Sequence, residues 1–429
     1  MELLCIGDLH LGRRPAHATV VAAELDDTRA IAPTSAWYRC VDYAIARGVD
    51  AVVLTGDLAE NARDFYEAYA DLYRGVERLR DHHIPVIAVA GNHDHEILPD
   101  LSQAIEGLQL LGAKSQWETT VVTGPDTAVE LVGWSFSADR ATSPLTHPDE
   151  LPPRTNDNHL RFGVLHCDRD GTSNAYAPVS SATLSRAPVD GWLLGHIHKP
   201  DDLATHGPNG YLGSVSGLDP TEDGPRGPWL LTVTADGARW MEHIVLAPLR
   251  WQTLNIAVDA LAAPGDIHDL VLRRLQEFDA QLHNQVHTQP HAVGVRIHLT
   301  GRTPFRGELS AAMAQSGLTD NVIPINERRY FVDAWSVAAR PAIDLEQRAQ
   351  GNDPVGALAQ RLLLLEQPDS DDCRALVARA RQELQQFAAN QRFARLEREP
   401  PGDDETIQYL REAGLQALDR LMAQEEQLQ

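Results

Sequence analysis

Short apolar runs that each end in a cluster of histidine, aspartate or asparagine fill the first hundred residues and leave few folds open to the chain. The runs lie at residues 3–7, 51–56 and 85–90, and stretches with helical spacing of apolar residues separate them at 35–47 and 64–81. This alternation is typical of a buried parallel sheet, in which ligand-binding residues collect at the carboxyl ends of the strands. The sequence therefore predicts an α/β domain with a polar site along one edge of its sheet.

From about residue 119 the pattern changes to successive strands. They are predicted at residues 119–123, 129–136, 160–165, 191–194, 229–234 and 239–246. Runs of strands separated by turn signals favour a second sheet that packs against the first. The predicted fold is therefore a two-sheet α/β sandwich.

A smaller α/β unit begins near Pro248 and alternates strands with helices. Four arginines lie near its middle strand: Arg302, Arg306, Arg328 and Arg329. They could face a phosphate backbone, or they could be ordinary solvated side chains on an exposed sheet. We expect domains at residues 1–248, 249–340 and 341–429.

After Pro341 the predicted strands give way to three helices, each with one apolar stripe. The first stripe includes Leu358 and Leu362, the second includes Leu376 and Leu384, and the third includes Leu410 and Leu418. Three helices at a chain end offer little mutual burial, so we expect a partner protein to cover these stripes. An ordinary helical core is the alternative.

Net charge and cysteine content exclude some classes of protein. The chain has 61 acidic and 37 basic side chains, with a formal charge of −24, which argues against a surface that coats nucleic acid by neutralising phosphates. Four widely spaced cysteines fit a reducing cytosol rather than a disulfide framework. No apolar run approaches the roughly 18 residues that cross a bilayer, and no signal-peptide pattern is present. We therefore expect a cytoplasmic protein without a membrane span.

The polar clusters at the strand ends contain residue types that bind divalent metals. They are Asp8 and His10, Asp57, Asn92 with His93, His166, and His196 with His198. Oxygen and imidazole donors without thiolates favour Mn, Fe or Mg, with Zn less favoured. Two metals roughly 3.5 to 4 Å apart need a bridging carboxylate when they act together on a phosphate, and Asp57 is the natural bridge.

Each cluster alone is weak evidence, but their order along the chain is specific. The series is Gly7-Asp8-Leu9-His10, Gly56-Asp57, Gly91-Asn92-His93-Asp94, His166 and Gly195-His196-Ile197-His198. It resembles the calcineurin-like metallophosphoesterase superfamily over residues 1 to about 246. The N-terminal position of the first motif, the segment Gly213-Ser214-Val215-Ser216-Gly217, and the smaller module followed by helices are similar to the DNA repair exonuclease branch, which includes SbcD-type nuclease subunits.

The resemblance implies a two-metal site that hydrolyses phosphodiesters. One metal would be held by Asp8, His10, Asp57 and His198, and the other by Asp57, Asn92, His166 and His196. Asp57 and His93 would be the catalytic residues, with His93 meeting the scissile phosphate as a general acid or a transition-state contact. Mn²⁺ is the metal that the resemblance implies, and Mg²⁺, Fe²⁺ and Zn²⁺ are alternatives.

The resemblance also implies partners and a biological role. The smaller module would cap the site and select DNA, and the C-terminal helices would dock on the coiled-coil base of an SMC-like ATPase. The expected function is therefore that of a metal-dependent DNA nuclease in DNA repair or processing. A small-molecule phosphodiesterase or phosphatase is one alternative, and an assembly subunit of an ATPase complex with secondary nuclease activity is another. The sequence does not determine the polarity of cleavage or the oligomeric state, and a homodimer is one of the possible states.

Overall fold

The computed structural model describes residues 1–17, 28–60, 65–147, 150–171, 175–388 and 401–428. The strands are β1 (Glu2–Ile6), β2 (Ala51–Leu54), β3 (Val86–Ala88), β4 (Leu108–Leu110), β5 (Glu118–Thr123), β6 (Ala128–Trp134), β7 (Leu160–His166), β8 (Gly191–Gly195), β9 (Asn209–Tyr211), β10 (Trp229–Val233), β11 (Arg239–His243), β12 (Leu249–Ala257), β13 (Ala292–Thr300), β14 (Arg302–Thr303), β15 (Ile323–Ile325), β16 (Arg328–Val337) and β17 (Arg340–Pro341).

Helices alternate with these strands in the first part of the chain and replace them at its end. They are α1 (Pro33–Arg47), α2 (Phe65–Asp81), α3 (Leu98–Ala104), α4 (Ser181–Arg186), α5 (Leu203–His206), α6 (Ile267–His283), α7 (Leu309–Gln315), α8 (Leu345–Arg348), α9 (Pro354–Leu364), α10 (Asp371–Ala388) and α11 (Asp403–Leu428). None of these described helices combines the length and the apolar character that crossing a bilayer requires.

Strands β1 to β11 form two sheets, which confirms the predicted α/β sandwich. The first has six strands in the order β11-β10-β1-β2-β3-β4, and the second has five in the order β5-β6-β7-β8-β9. Side chains from both sheets share one buried layer, in which Leu3 and Val53 of the first meet Leu131 and Val164 of the second. Helices α1 and α2 cover the opposite face of the first sheet.

The placement of β10 and β11 differs from the sequence prediction. Both were expected in the second sheet, because they follow its other strands along the chain. Instead β10 pairs antiparallel with β1, with Glu2 opposite Thr232, and β11 pairs with β10. The C-terminal strands of this region therefore extend the first sheet on the side of β1 that β2 leaves open.

The smaller module is a four-stranded sheet in the order β12-β13-β16-β15, with three parallel strands and antiparallel β15 at one edge. Helices α6 and α7 cover its apolar face. The loop that precedes the module bonds to its first strand, because the Asp223 carboxylate accepts from the Thr253 amide at 2.6 Å and the Gly224 amide donates to the Trp251 carbonyl at 2.9 Å. Residues 1–301 and 305–339 form one compact unit.

The arginines of this module are largely occupied by protein acceptors. Arg328 is 3% exposed and bonds to Asp279 in the interior, so the hypothesis that it faces a phosphate backbone is wrong. Arg302 pairs with Asp419 at 2.6 Å, and the Arg306 guanidinium donates to the Ala339 carbonyl. Burying an arginine requires such partners because its charge cannot be neutralised.

Residues 302–304 and 340–429 form a second compact unit. Its helices share a small core that contains Val355, Leu362, Cys373, Val377 and Leu418. The expectation that these helices offer little mutual burial is therefore wrong for part of the stripes. Leu384 is among the apolar side chains that stay exposed, at 37%.

Candidate metal centre

The sandwich brings the polar clusters of the sequence together at the carboxyl ends of five parallel strands. Asp8 and His10 follow β1, Asp57 follows β2, Asn92 and His93 follow β3, His166 is the last residue of β7, and His196 and His198 follow β8. These strands belong to both sheets, so the cluster lies where the two sheets meet at one end. This is the edge at which the parallel α/β pattern predicted a site.

The structure brings together the residues predicted for the first metal position, which are Asp8, His10, Asp57 and His198. The Nε2 atoms of His10 and His198 lie 3.0 Å apart, and donor atoms of Asp8, His10 and His198 all lie within 4.8 Å of one another. Asp8 and His10 are almost completely buried. The two imidazoles thus aim their ring nitrogens at one small volume.

The structure also brings together the residues predicted for the second metal position, which are Asp57, Asn92, His166 and His196. His166 Nε2 lies 3.1 Å from Asn92 Oδ1 and 3.3 Å from Asp57 Oδ2. The ring of His196 lies 5.2 Å from that of His166, centroid to centroid. Asp57 Oδ2 is also 4.0 Å from His10 Nε2, so one carboxylate oxygen lies between the two positions.

The donor atoms fit a pair of divalent cations. Ligands bound to one ion at about 2.1 Å lie roughly 3 Å or slightly more from each other, which is the spacing of His10 to His198 and of His166 to Asn92. Asp8 Oδ2 is buried and has no hydrogen-bond partner among the described residues. A buried carboxylate oxygen without a donor is costly unless a cation satisfies it.

Backbone strain marks three of the predicted ligands. His10, Asp57 and His196 have positive φ angles of 50°, 52° and 101°, a region that side chains other than glycine rarely adopt. Such strain persists where the surrounding structure holds the backbone in place, and it concentrates at functional sites. Only glycine fits at position 91 beside these ligands, because a Cβ there would lie 2.1 Å from Asp57 Oδ1.

The charges of the cluster perturb the pKa values of its members. Burial would raise the pKa of Asp57, but the neighbouring His166, His10 and His93 outweigh burial and hold it well below its usual value. Burial likewise opposes a charged His166, yet the carboxylates of Asp57 and Asp8 raise its pKa to about 9. The excess of acidic groups therefore favours positive charge at the centre of the cluster.

His93 lies at the rim of the cluster. Its side chain is exposed, and its Nδ1 is 2.9 Å from the Glu60 carbonyl oxygen, so this nitrogen carries a hydrogen. The His93 amide donates to Asp57 Oδ1 at 3.0 Å. The remaining ring nitrogen, Nε2, is then the atom that can exchange a proton with a substrate.

Several acidic residues contact the predicted ligands or the loops that carry them. Asp94 is fully buried and accepts from the amides of Leu58 and Gly91, which fixes the loops that carry Asp57 and Asn92. Burial and the charge of Asp57 raise the pKa of Asp94 to about 6. The sequence prediction did not include Glu60 or Glu222, each of which contacts a histidine of the first metal position.

The comparisons with known proteins agree with this geometry. Residues 1–200 match the family model described as calcineurin-like phosphoesterase. An uncharacterized metallophosphoesterase, YhaO of Bacillus subtilis, is 29% identical over 200 residues, which are 45% of this chain and 48% of YhaO.

Proteins named DNA double-strand break repair protein Mre11 are also similar. The one from Haloferax volcanii is 27% identical over 285 residues, 64% of this chain and 58% of that protein. The one from Sulfolobus acidocaldarius is 35% identical over 94 residues, 22% of each chain. The matched stretches thus cover about half of YhaO and of the Haloferax protein and less of the other. Residues 1–200 carry every predicted metal ligand, and it is this part of the chain that matches the calcineurin-like phosphoesterase family.

Proposed function

We propose that this protein is a metal-dependent DNA nuclease that acts in DNA repair or processing together with an SMC-like ATPase. The observation that carries the proposal is the pair of donor sets that share Asp57 Oδ2, which lies 3.3 Å from His166 Nε2 and 4.0 Å from His10 Nε2. The similarity to proteins named for DNA double-strand break repair supports DNA as the substrate.

The predicted ligands hold two divalent cations in this proposal, with Mn²⁺ as the expected metal. Asp8, His10 and His198 hold one, Asn92, His166 and His196 hold the other, and Asp57 contacts both. When bound, such a pair polarises the phosphate and lowers the pKa of an attacking water. The strained backbone at His10 and Asp57 fixes the ligand directions before substrate arrives, so little reorganisation is needed at the moment of reaction.

His93 is the proton-transfer residue in this proposal. The Glu60 carbonyl fixes one ring nitrogen and leaves Nε2 toward solvent at the mouth of the site. From there His93 can donate a proton to the leaving oxygen or contact the phosphate. The hydrogen bond from the His93 backbone amide to Asp57 Oδ1 sets the position of His93 relative to the bridging carboxylate.

DNA contact in this proposal is shared with the partner. The chain has a formal charge of −24, and Arg302 and Arg328 are engaged by Asp419 and Asp279. Phosphate binding depends on available cationic side chains. Tight binding of DNA therefore needs the basic surface of another subunit, and we assign the C-terminal helices to that contact.

The test is hydrolysis of labelled single-stranded and double-stranded DNA by the purified protein with Mn²⁺, Mg²⁺ or EDTA. We expect cleavage with Mn²⁺ and none with EDTA. Asp57→Asn keeps the size of the side chain but removes the shared charge, so it should bind less metal and cleave about a thousandfold or more slowly. Hydrolysis of cyclic nucleotides without cleavage of any DNA would assign the site to small-molecule substrates instead. Wild-type turnover by Asp57→Asn with two metals bound would contradict the shared-carboxylate site.

A further inference from the structure

Two glutamates outside the predicted ligand set contact the histidines of the first metal position. Glu60 Oε2 lies 2.7 Å from His10 Nδ1, and Glu222 Oε1 lies 2.7 Å from His198 Nδ1. In both histidines the opposite nitrogen, Nε2, is the one that points into the ligand cluster, at 3.0 Å from its counterpart. Each imidazole is therefore held between a carboxylate and the metal position.

This arrangement determines which nitrogen carries the hydrogen. The Glu222 carboxylate accepts from His198 Nδ1, so the neutral His198 ring keeps a lone pair on Nε2 and aims it at the metal position. Glu60 Oε2 lies close to His10 Nδ1 but is not aligned for a hydrogen bond, so it acts on that ring through its charge. The negative charge on the Nδ1 side of the ring also makes the Nε2 lone pair a stronger metal ligand and fixes the orientation of the ring. Loss of such partners typically weakens metal binding about 10- to 100-fold.

Glu222 is itself held firmly. Its second oxygen accepts from the Ser214 hydroxyl at 2.9 Å and from the Leu218 amide at 3.0 Å, and the residue is 7% exposed. Glu60 lies beside Arg13, with 3.8 Å between charged atoms. The two carboxylates are therefore built into the loops that surround the first metal position.

The second metal position has a different support. His166 Nδ1 lies 3.1 Å from the Thr55 carbonyl oxygen, a neutral acceptor from the backbone. Both histidines of the first position thus have a carboxylate at 2.7 Å from Nδ1, whereas the carboxylate beside His166 Nδ1, that of Asp8, lies at 3.9 Å. A divalent cation is attracted more strongly where the surrounding groups are negative.

We propose that Glu60 and Glu222 are positioning residues that make the first metal position the tighter of the two. The inference rests on the proposed two-metal site, and it concerns the order of binding: one ion fills the position of His10 and His198 before a second fills the position of His166. The tight ion then stays bound at metal concentrations at which the other exchanges.

The experiment is calorimetric titration of the metal-free chain of residues 1–429 with Mn²⁺ alone. Wild type should bind two ions in two resolved steps. Glu60→Gln and Glu222→Gln keep side-chain size and should weaken the tight step about 10- to 100-fold. Asn92→Ala removes a ligand of the second position, so it should abolish the weak step and leave the tight one. Glu106→Gln, which removes an exposed carboxylate that pairs with Arg80, is the matched charge control and should bind as wild type does.

Several outcomes would overturn the inference. They are two steps of unchanged affinity in both glutamine variants, loss of the tight step in Asn92→Ala, and absence of Mn²⁺ binding by wild type. Because the measurement contains no DNA, it separates this inference from the proposed nuclease activity. Two-step binding by a protein that cleaves no DNA would remove the nuclease proposal and leave the assignment of Glu60 and Glu222 standing.

Discussion

Single residues at the rim of the site allow chemistry to be separated from metal binding. His93 follows the predicted ligand Asn92, yet its Nδ1 is engaged by the Glu60 carbonyl and its ring is exposed. We predict that His93→Ala retains two metals by elemental analysis and cleaves DNA at least about a hundredfold more slowly. Loss of one metal in this variant would make His93 a ligand, and unchanged cleavage would give it no part in the reaction.

A half-buried histidine of β11 makes the stability of the fold depend on pH. The ring of His243 stacks on Trp229 at 4.5 Å between centroids, and burial lowers its pKa to about 4. An unfolded histidine titrates near 6.5, so the unfolded state binds the extra proton between these values. The free energy of unfolding should therefore fall as pH falls from about 6.5 to 4, by about 3 kcal/mol at most from this group.

Urea denaturation of wild type and His243→Gln from pH 4 to 7.5 measures this contribution. Carboxylates and other histidines titrate in both proteins, so their effects cancel in the difference. The wild-type curve should lose more stability on acidification than the variant curve does. Parallel curves would show that His243 is protonated equally in the folded and unfolded protein.

At the residue scale the sequence predicted the candidate ligands but not the carboxylates that contact them. Asp8, Asp57 and His166 could be predicted because each directly follows or ends an apolar run. Glu60 and Glu222 could not, because nothing in the spacing of residues 10 and 60, or 198 and 222, indicates that the loops fold back to place a carboxylate 2.7 Å from a ring nitrogen. The pattern of residues likewise did not predict the positive φ angles at His10 and Asp57.

At the scale of elements, local pattern identified most strands and helices but not which strands pair. Helix α1 was expected over 35–47 and spans Pro33–Arg47, with Gly48 ending it at φ 71°. Strands β10 and β11 were expected near their observed positions but assigned to the wrong sheet. Alternation of residues reports that a strand is half-buried, whereas the choice of partner depends on which sheet edge is free, a property of the assembled fold.

The role of the C-terminal helices can be tested by truncation. A chain that ends at Ala339, where the first compact unit ends, keeps every predicted ligand and the buried layer between the sheets. We expect it to fold and to hydrolyse bis-p-nitrophenyl phosphate, because that small ester needs only the metal centre. It should no longer co-purify with a coiled-coil ATPase. Retention of the ATPase by the truncated chain would assign residues 340–429 to an internal structural role.

At the scale of the whole molecule, the metal centre links the two sheets. Asp57 follows a strand of the first sheet and His166 ends a strand of the second, and the two side chains lie 3.3 Å apart. A cation that binds only the folded protein stabilises it by about 2.7 kcal/mol per site at a hundred times its dissociation constant. We therefore predict a higher Tm in Mn²⁺ than in EDTA. Asp57→Asn should show little of this increase, and an equal increase in both proteins would indicate binding elsewhere.

The distance along the chain between the ligands determines when a metal can bind during folding. His10 and His198 are 188 residues apart in sequence, yet their Nε2 atoms lie 3.0 Å apart. That pair forms only when both sheets have docked, so we expect a bound cation to contribute after the folding transition state. Interactions that form after the transition state slow unfolding and leave the folding rate nearly unchanged. We therefore expect bound cations to slow unfolding of the sandwich and to have little effect on the rate at which the polypeptide assembles it.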